Sequence, residues 1–388
     1  MEEREAQVII PKKKRYNFID QFRGIVIFLF VVAAVTYEWS GNAGIGLVSV
    51  GPTWLNHGWK FFDFNQKQII TLIDLGQMLF VFVMGLMIPL SWKRHMEKGG
   101  IGNAIGQTLV RIGWFYLIAG IMDDFDPGGM FLRGTFGVLA AAMIMATILA
   151  AIIKDPTKRF YVNMGLLVLL TVLYALPAVR TLEQSIFGVD DSIELLPLNL
   201  LGASIVAIQG GIFMEWFVQA KENPDILKQK ILKVSLLACI VCVPVDYFWY
   251  ADHHAMNTSL VLMGIGVGGF LFMIFYMLEK NFKWSVPGLN AFGRNTLLAF
   301  MITAPIEALL WGDGLNIAET FKDLSYPYPI SAAIGLLTLV IYIAWYLVIL
   351  VPLDRKQWYF TPSIFIRAIK YGIEKNKKKK AKETPQNQ

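Results

Sequence analysis

Residues 69–92 read IITLIDLGQMLFVFVMGLMIPLSW, an apolar stretch that decides the fold class of the chain. A helix needs roughly 20 residues to cross about 30 Å of hydrocarbon at ~1.5 Å per residue. The carboxylate of Asp74 interrupts the stretch near its start, and the basic residues Lys93 and Arg94 follow its end. A charge inside such a segment is costly and usually functional. The stretch therefore predicts a membrane-spanning helix with a candidate functional residue.

The rest of the chain is also rich in apolar residues and poor in charged ones. Hydrophobic residues make up 55% of the 388 positions and charged residues only 16%, which excludes an ordinary soluble globular domain. We predict an all-α, polytopic helical bundle that forms one membrane domain over residues 18–353, between a polar segment at 1–17 and a basic tail at 354–388. Its ten predicted spans lie at about 20–38, 69–92, 106–122, 132–153, 160–179, 198–219, 231–250, 259–279, 288–311 and 329–352.

The loops between these spans alternate in charge. Lysine and arginine collect in loops such as 93–98 and 154–159, whereas aspartate and glutamate collect in loops such as 123–126 and 190–194. Because basic loops stay on the cytoplasmic side, we predict that both termini are cytoplasmic. The lysines near the termini then anchor the topology and contact anionic lipid headgroups. No aromatic residues are interleaved with them, so no nucleic-acid partner is expected.

Three arginines fall near the cytoplasmic ends of predicted spans. Arg23, Arg111 and Arg294 each lie in the first two turns of an outward-running helix. Guanidinium groups match phosphate geometry, so this level could bind a phosphorylated ligand that arrives from the cytoplasm. The alternative is that each arginine extends to the headgroups as an anchor. Sequence position leaves both interpretations open.

The outer ends of the spans carry acidic residues and histidines. His57 lies in an aromatic-rich loop that precedes Asp74. A neutral imidazole can accept a proton near pH 7, and a carboxylate can orient it. The alternative role for Asp74 is a hydrogen bond that fixes a neighbouring helix. The adjacent His253 and His254 suggest metal ligands, but neighbouring histidines in a loop seldom point at one ion, so no metal site is expected.

Short motifs follow one another in a fixed order along most of the chain. They are RYNFIDQFRG (15–24), LNHGW (55–59), IDL with FVFVMG (73–85), LRGTFGVL (132–139), LLG (200–202), PV with NTS (244–259) and AFGRNTLL (291–298). Each fragment alone is weakly specific. Taken in order, they resemble the transmembrane acyltransferase family that includes heparan-α-glucosaminide N-acetyltransferase and its bacterial relatives.

The resemblance implies transfer of an acetyl group from cytoplasmic acetyl-CoA to a sugar amine on the other side of the membrane, without a metal. It implies that His57 is catalytic, and Asp74 is its expected partner. The remaining expected site residues either bind the CoA phosphates or contact the acceptor. They are Arg23, Arg111, Arg133, Arg294 and Asn295 for acetyl-CoA, and Trp59, Asp246 and Asn257 for the acceptor.

The chain departs from the family pattern where substrates would bind. Trp59 is followed by Lys60 and Phe61 instead of the family's Asn-Gly, and the connection from His57 to Asp74 is longer. Glucosamine as the acceptor is therefore an analogy. Two other functions stay open, a small-solute transporter or exporter and a family member that binds ligand without catalysis.

The predicted partners and the predicted membrane location follow from the interpretation of the chain as a membrane acyltransferase. The predicted partners are membrane lipids, acyl-CoA and a sugar or glycan acceptor, and a homodimer is left open. No large luminal domain leads the chain, which favours a prokaryotic cytoplasmic membrane.

Overall fold

A computed structural model describes residues 16–41, 75–122, 135–179, 181, 197–220, 223–248, 256–302 and 330–359. These residues are almost entirely helical, and none of them forms a β-strand. The principal helices are α1 (Asn17–Gly41), α2 (Gly76–Met122), α3 (Thr135–Ile152), α4 (Pro156–Ala175), α5 (Pro197–Ala220), α6 (Lys233–Phe248), α7 (Thr258–Phe282), α8 (Pro287–Arg294) and α9 (Ile330–Arg355). A short turn, Pro224–Ile226, and a wider helical segment, Leu227–Leu232, lead into α6.

Five helices in this part of the chain are long and apolar enough to cross a membrane. They are Gly76–Gly120, Pro156–Ala175, Leu198–Ala220, Leu227–Phe248 and Thr258–Phe282. The prediction of an all-helical protein is therefore confirmed for the described residues, and five of their helices are candidate membrane spans. The number of ten spans and the orientation of the termini stay predictions.

Helix α2 is broken in its middle. As a straight rod, its 47 residues would measure about 70 Å, more than twice the thickness of a bilayer core. The backbone leaves helical geometry at Gly99 and Gly100, and Gly100 has a φ of 70°, which residues with side chains rarely adopt. Across this break the Asn103 side-chain amide donates to the His95 carbonyl at 2.9 Å.

The two halves of α2 fold back on each other. Phe80 in the first half and Phe115 in the second join one ring cluster through Phe300 and Phe136. The successive ring centroids are 5.2, 4.9 and 6.4 Å apart. These rings could not meet if the helix were straight, because Phe80 and Phe115 would then lie about 50 Å apart. The loop predicted between the second and third spans is thus a tight helical turn.

Helix α5 is the centre of the bundle and packs against α2, α3, α4 and α7. Small residues bring its backbone close to that of α2. A Cβ atom on Gly85 would collide with the Ala207 carbonyl, and one on Gly210 would collide with the Phe82 carbonyl. Small residues at helix contacts are typical of membrane proteins, because lipid chains provide no hydrophobic force between helices.

Helices α1 and α8 make a second close contact at the end of the bundle where α1 begins. A Cβ atom on Gly24 would collide with the Leu289 carbonyl, and one on Gly293 with the Asp20 carbonyl. Gln21 bonds the segment between α7 and α8. Its side-chain oxygen accepts from the Val286 N–H at 2.9 Å, and its amide donates to the Trp284 carbonyl at 3.1 Å.

We predict that Gly210→Ala destabilises the protein, whereas Gly165→Ala does not. The added methyl group would overpack the α2–α5 contact at a cost of about 1–3 kcal/mol. Gly165 is an exposed helical glycine with open space around it, and alanine is the better helix former there. Thermal unfolding of the purified protein in detergent measures the difference. Equal midpoints for the two variants would contradict the close α2–α5 contact.

Candidate anion-binding site

Charged side chains of several helices meet at the end of the bundle where α1 begins. The start of α1, the turn of α2, the whole of α8 and the end of α9 contribute to it. The fold-back of α2 brings Arg94 and Arg111 to this end from opposite sides of the turn. The close α1–α8 contact brings Arg23 to the same place.

Arg111 is surrounded by positive charge. Its side chain is partly buried, and the charges that act on it are those of Arg23 and Arg94. Within the described residues it makes no hydrogen bond or ion pair, and no carboxylate acts on it. We refer to Arg23, Arg94 and Arg111 as the arginine trio. An anion is the ligand that such a cluster would bind.

Arg23 is held in place by the end of α8. Its Nη1 donates to the Gly293 carbonyl at 3.1 Å. Gly293 belongs to the last turn of α8, where the carbonyl groups carry partial negative charge and favour a cation. This bond fixes the direction of the side chain.

Arg294 is neutralised by two carboxylates. Its Nε donates to Asp20 at 3.2 Å, its Nη1 donates to both oxygens of Asp354 at 3.1 Å, and its Nη2 donates to the Asn17 side-chain oxygen at 2.9 Å. These contacts join α1, α8 and α9. They give Arg294 a structural role that does not depend on a ligand, and its predicted contact with CoA stays a prediction.

Asn295 follows α8 inside the bundle. Its side chain is fully buried, its N–H donates to the Ala291 carbonyl, and its carbonyl accepts from the Ala299 N–H. These bonds connect α8 to the helical residues 296–302. The predicted contact of Asn295 with acetyl-CoA stays a prediction, and a buried side chain would have to become accessible to make it.

The two predicted acceptor residues in the described chain lie close together at the junction of α6 and α7. Asp246 accepts a hydrogen bond from the Ser259 hydroxyl at 2.8 Å. Asn257 caps the start of α7, where its side-chain oxygen accepts from the Leu260 N–H at 3.0 Å. Capping gives Asn257 a structural role that does not depend on any substrate. Contact with an acceptor stays a prediction for both residues.

Four predicted site residues lie outside the described residues. They are His57, Trp59, Asp74 and Arg133. Their roles stay predictions from the sequence.

Three residues at this end were not predicted as part of the site. Arg94 was assigned to a basic loop, but no helix-breaking residue separates it from the end of span 2 before Gly99. Asp20 and Asp354, the partners of Arg294, are far apart in sequence. Their ion pairs depend on tertiary packing, which no local pattern indicates.

Comparisons with known proteins do not assign the chain to a family. No protein-family model matches the chain. No curated protein sequence matches it either.

Proposed function

We propose that this chain is a membrane acyltransferase that uses cytoplasmic acyl-CoA, most directly acetyl-CoA. The acceptor would be an amino sugar or another envelope molecule on the opposite side of the membrane. The observation that supports the proposal is the arginine trio, whose central member has only positively charged neighbours among the described residues.

The chemistry of CoA suits such a site. Buried charges in proteins are normally paired, because desolvation of an isolated ion is expensive. CoA carries a diphosphate and a phosphate monoester, so it would supply several negative charges to three guanidinium groups. Arg294 contrasts with Arg111, because its carboxylate partners already satisfy it. The trio is therefore the better candidate for the donor site.

The proposed topology has ten spans with both termini in the cytoplasm, in a prokaryotic cytoplasmic membrane. In this orientation the turn of α2 faces the cytoplasm, where Lys93 and Lys98 are exposed beside the trio. Positive charge at this turn would also attract a polyanionic ligand from solution. The junction of α6 and α7, with Asp246, would then face the acceptor side.

The proposed transfer is a substitution at the thioester carbonyl. In direct transfer, the nitrogen of the acceptor amine attacks the thioester carbonyl while His57 takes the proton of that amine. The new N–C bond forms, the C–S bond breaks, and CoA leaves as a thiolate that is then protonated. Asp74 would orient the imidazole and stabilise its charged form. In the alternative route, the His57 nitrogen first attacks the thioester carbonyl and CoA leaves as a thiolate, and the acceptor amine then takes the acyl group from the imidazole.

We expect Arg111→Gln and Arg23→Gln each to weaken acetyl-CoA binding by about 10- to 100-fold, which corresponds to the loss of one charge-assisted contact. Lys228→Gln is the matched control, because it removes the same charge from an exposed position on the segment that leads into α6. Isothermal titration calorimetry in lipid nanodiscs measures the affinities. A wild-type protein that binds no acyl-CoA, or an Arg111→Gln variant that binds it as tightly as the wild type, would contradict the donor site.

We expect His57→Ala to lower acyl transfer by at least about 100-fold, the usual contribution of a general base, and to leave acyl-CoA affinity unchanged. His95→Ala is the control, because this histidine lies at the turn of α2. Turnover is measured with radiolabelled acetyl-CoA and amino-sugar acceptors. Full activity of His57→Ala would exclude the catalytic role, and binding without turnover in the wild type would indicate an inactive member. Solute uptake without an acyl donor would favour a transporter.

A further inference from the structure

The contact between α4 and α5 contains polar side chains that face protein instead of lipid. Arg159 and Asn163 lie one turn apart on α4, and Gln209 and Glu215 lie opposite them on α5. An Arg159 Nη2 group donates to a Glu215 oxygen. The Asn163 Nδ2 group donates to the Ile205 carbonyl and to the Gln209 side-chain oxygen, both at 3.1 Å. Both helices are long and apolar enough to cross a membrane.

Four buried polar atoms in this contact have no hydrogen-bond partner within the described chain. They are Arg159 Nε, Asn163 Oδ1, Gln209 Nε2 and Trp216 Nε1. Each belongs to a residue that is at most 3% exposed. Polar side chains that only hold two helices together would satisfy one another. Because hydrocarbon offers no hydrogen bonds, these atoms need another partner.

Rotating the side-chain amides of Asn163 and Gln209 by 180° would not give these buried atoms their missing hydrogen-bond partners. If Asn163 were turned over, its oxygen would face the Ile205 carbonyl instead of donating to it. If Gln209 were turned over, its NH₂ group would face the NH₂ group of Asn163. The present orientation is therefore the better one, and it leaves three donors and one acceptor unsatisfied.

The charges in the contact are balanced, so the missing partner is uncharged. Glu215 neutralises Arg159, and Asp155 also acts on that guanidinium. The Lys230 ammonium lies 5.5 Å from the centre of the Trp216 ring, on the side of the wider helical segment before α6. Water both donates and accepts, which fits a set of three donors and one acceptor.

We propose that a file of internal water molecules lies between α4 and α5 and connects the partly exposed Glu215 with the Asn163–Gln209 pair. The six residues from Gln209 to Glu215 rise by about 9 Å, which two or three hydrogen-bonded waters would span. Gly210 marks the face of α5 that packs on α2, and the water file lies on the face toward α4. It does not depend on the proposed acyl-CoA site.

Cysteine substitution tests the water file with Ag⁺, which reacts with thiols that water reaches. In a Cys239→Ala/Cys242→Ala background, we expect Gln209→Cys to react at least about tenfold faster than Ile208→Cys, because thiol reactivity requires the ionised form. Ile208 is the buried apolar neighbour, and Val168→Cys is a lipid-facing control at 63% exposure. Reaction is followed by intact mass spectrometry in nanodiscs. Equal rates at residues 208 and 209 would overturn the proposal.

A measurement on the unsubstituted chain decides the question if the variants do not fold. Water next to an indole makes it reactive in X-ray hydroxyl-radical labelling, even where the residue is buried. We expect Trp216 to be labelled several-fold faster than Trp345, which is 56% exposed but lies on the apolar helix α9. Labelling of Trp216 no faster than that of Trp345 would show that the α4–α5 contact is dry.

Discussion

Close contact between helix backbones is the constraint on which the described bundle depends. At Gly85 and Gly210 the backbones of α2 and α5 come so near that no side chain fits between them. In lipid, association between helices relies on such packing and on hydrogen bonds, since apolar surface gains little by leaving the lipid. The same principle operates between α1 and α8, where Gly24 and Gly293 set the spacing. That spacing allows the Arg23 guanidinium to reach a carbonyl of α8.

Three kinds of arginine environment coexist at one end of the bundle. Arg294 is saturated by carboxylates and an amide, and it joins three helices. Arg159 has one carboxylate partner and one unpartnered nitrogen. Arg111 has only cationic neighbours within the described chain. Protein groups thus offset the desolvation cost of the Arg294 charge, and they offset part of that cost for Arg159. For Arg111 the cost would have to be met by a ligand or by lipid phosphate.

Apolar stretches of the right length predicted the helical membrane architecture, because the requirement to satisfy backbone groups in lipid leaves few alternatives. The placement of Arg23 and Arg111 at the same end of the bundle was also predictable, since helical rise converts sequence position into height along a helix. The partners of Arg294 were not, because Asp354 is 60 residues away and reaches it only through packing of α9 on α8. The pairing of Asn163 with Gln209 was not predictable, because a single amide in an apolar stretch has no sequence signature of its own. The predicted catalytic residues His57 and Asp74 lie outside the described residues.

The break at Gly99 and Gly100 also bears on how the membrane domain is assembled. It makes α2 a helical hairpin whose two arms follow each other directly in sequence, so bringing them together has a low loop-closure cost. Such a hairpin can form as a unit early in the assembly of the bundle. Arg94 and Arg111 would then be neighbours before α5 is made, and their mutual repulsion would oppose closure of the hairpin. Bound anions that screen this repulsion would therefore assist biogenesis as well as any later activity.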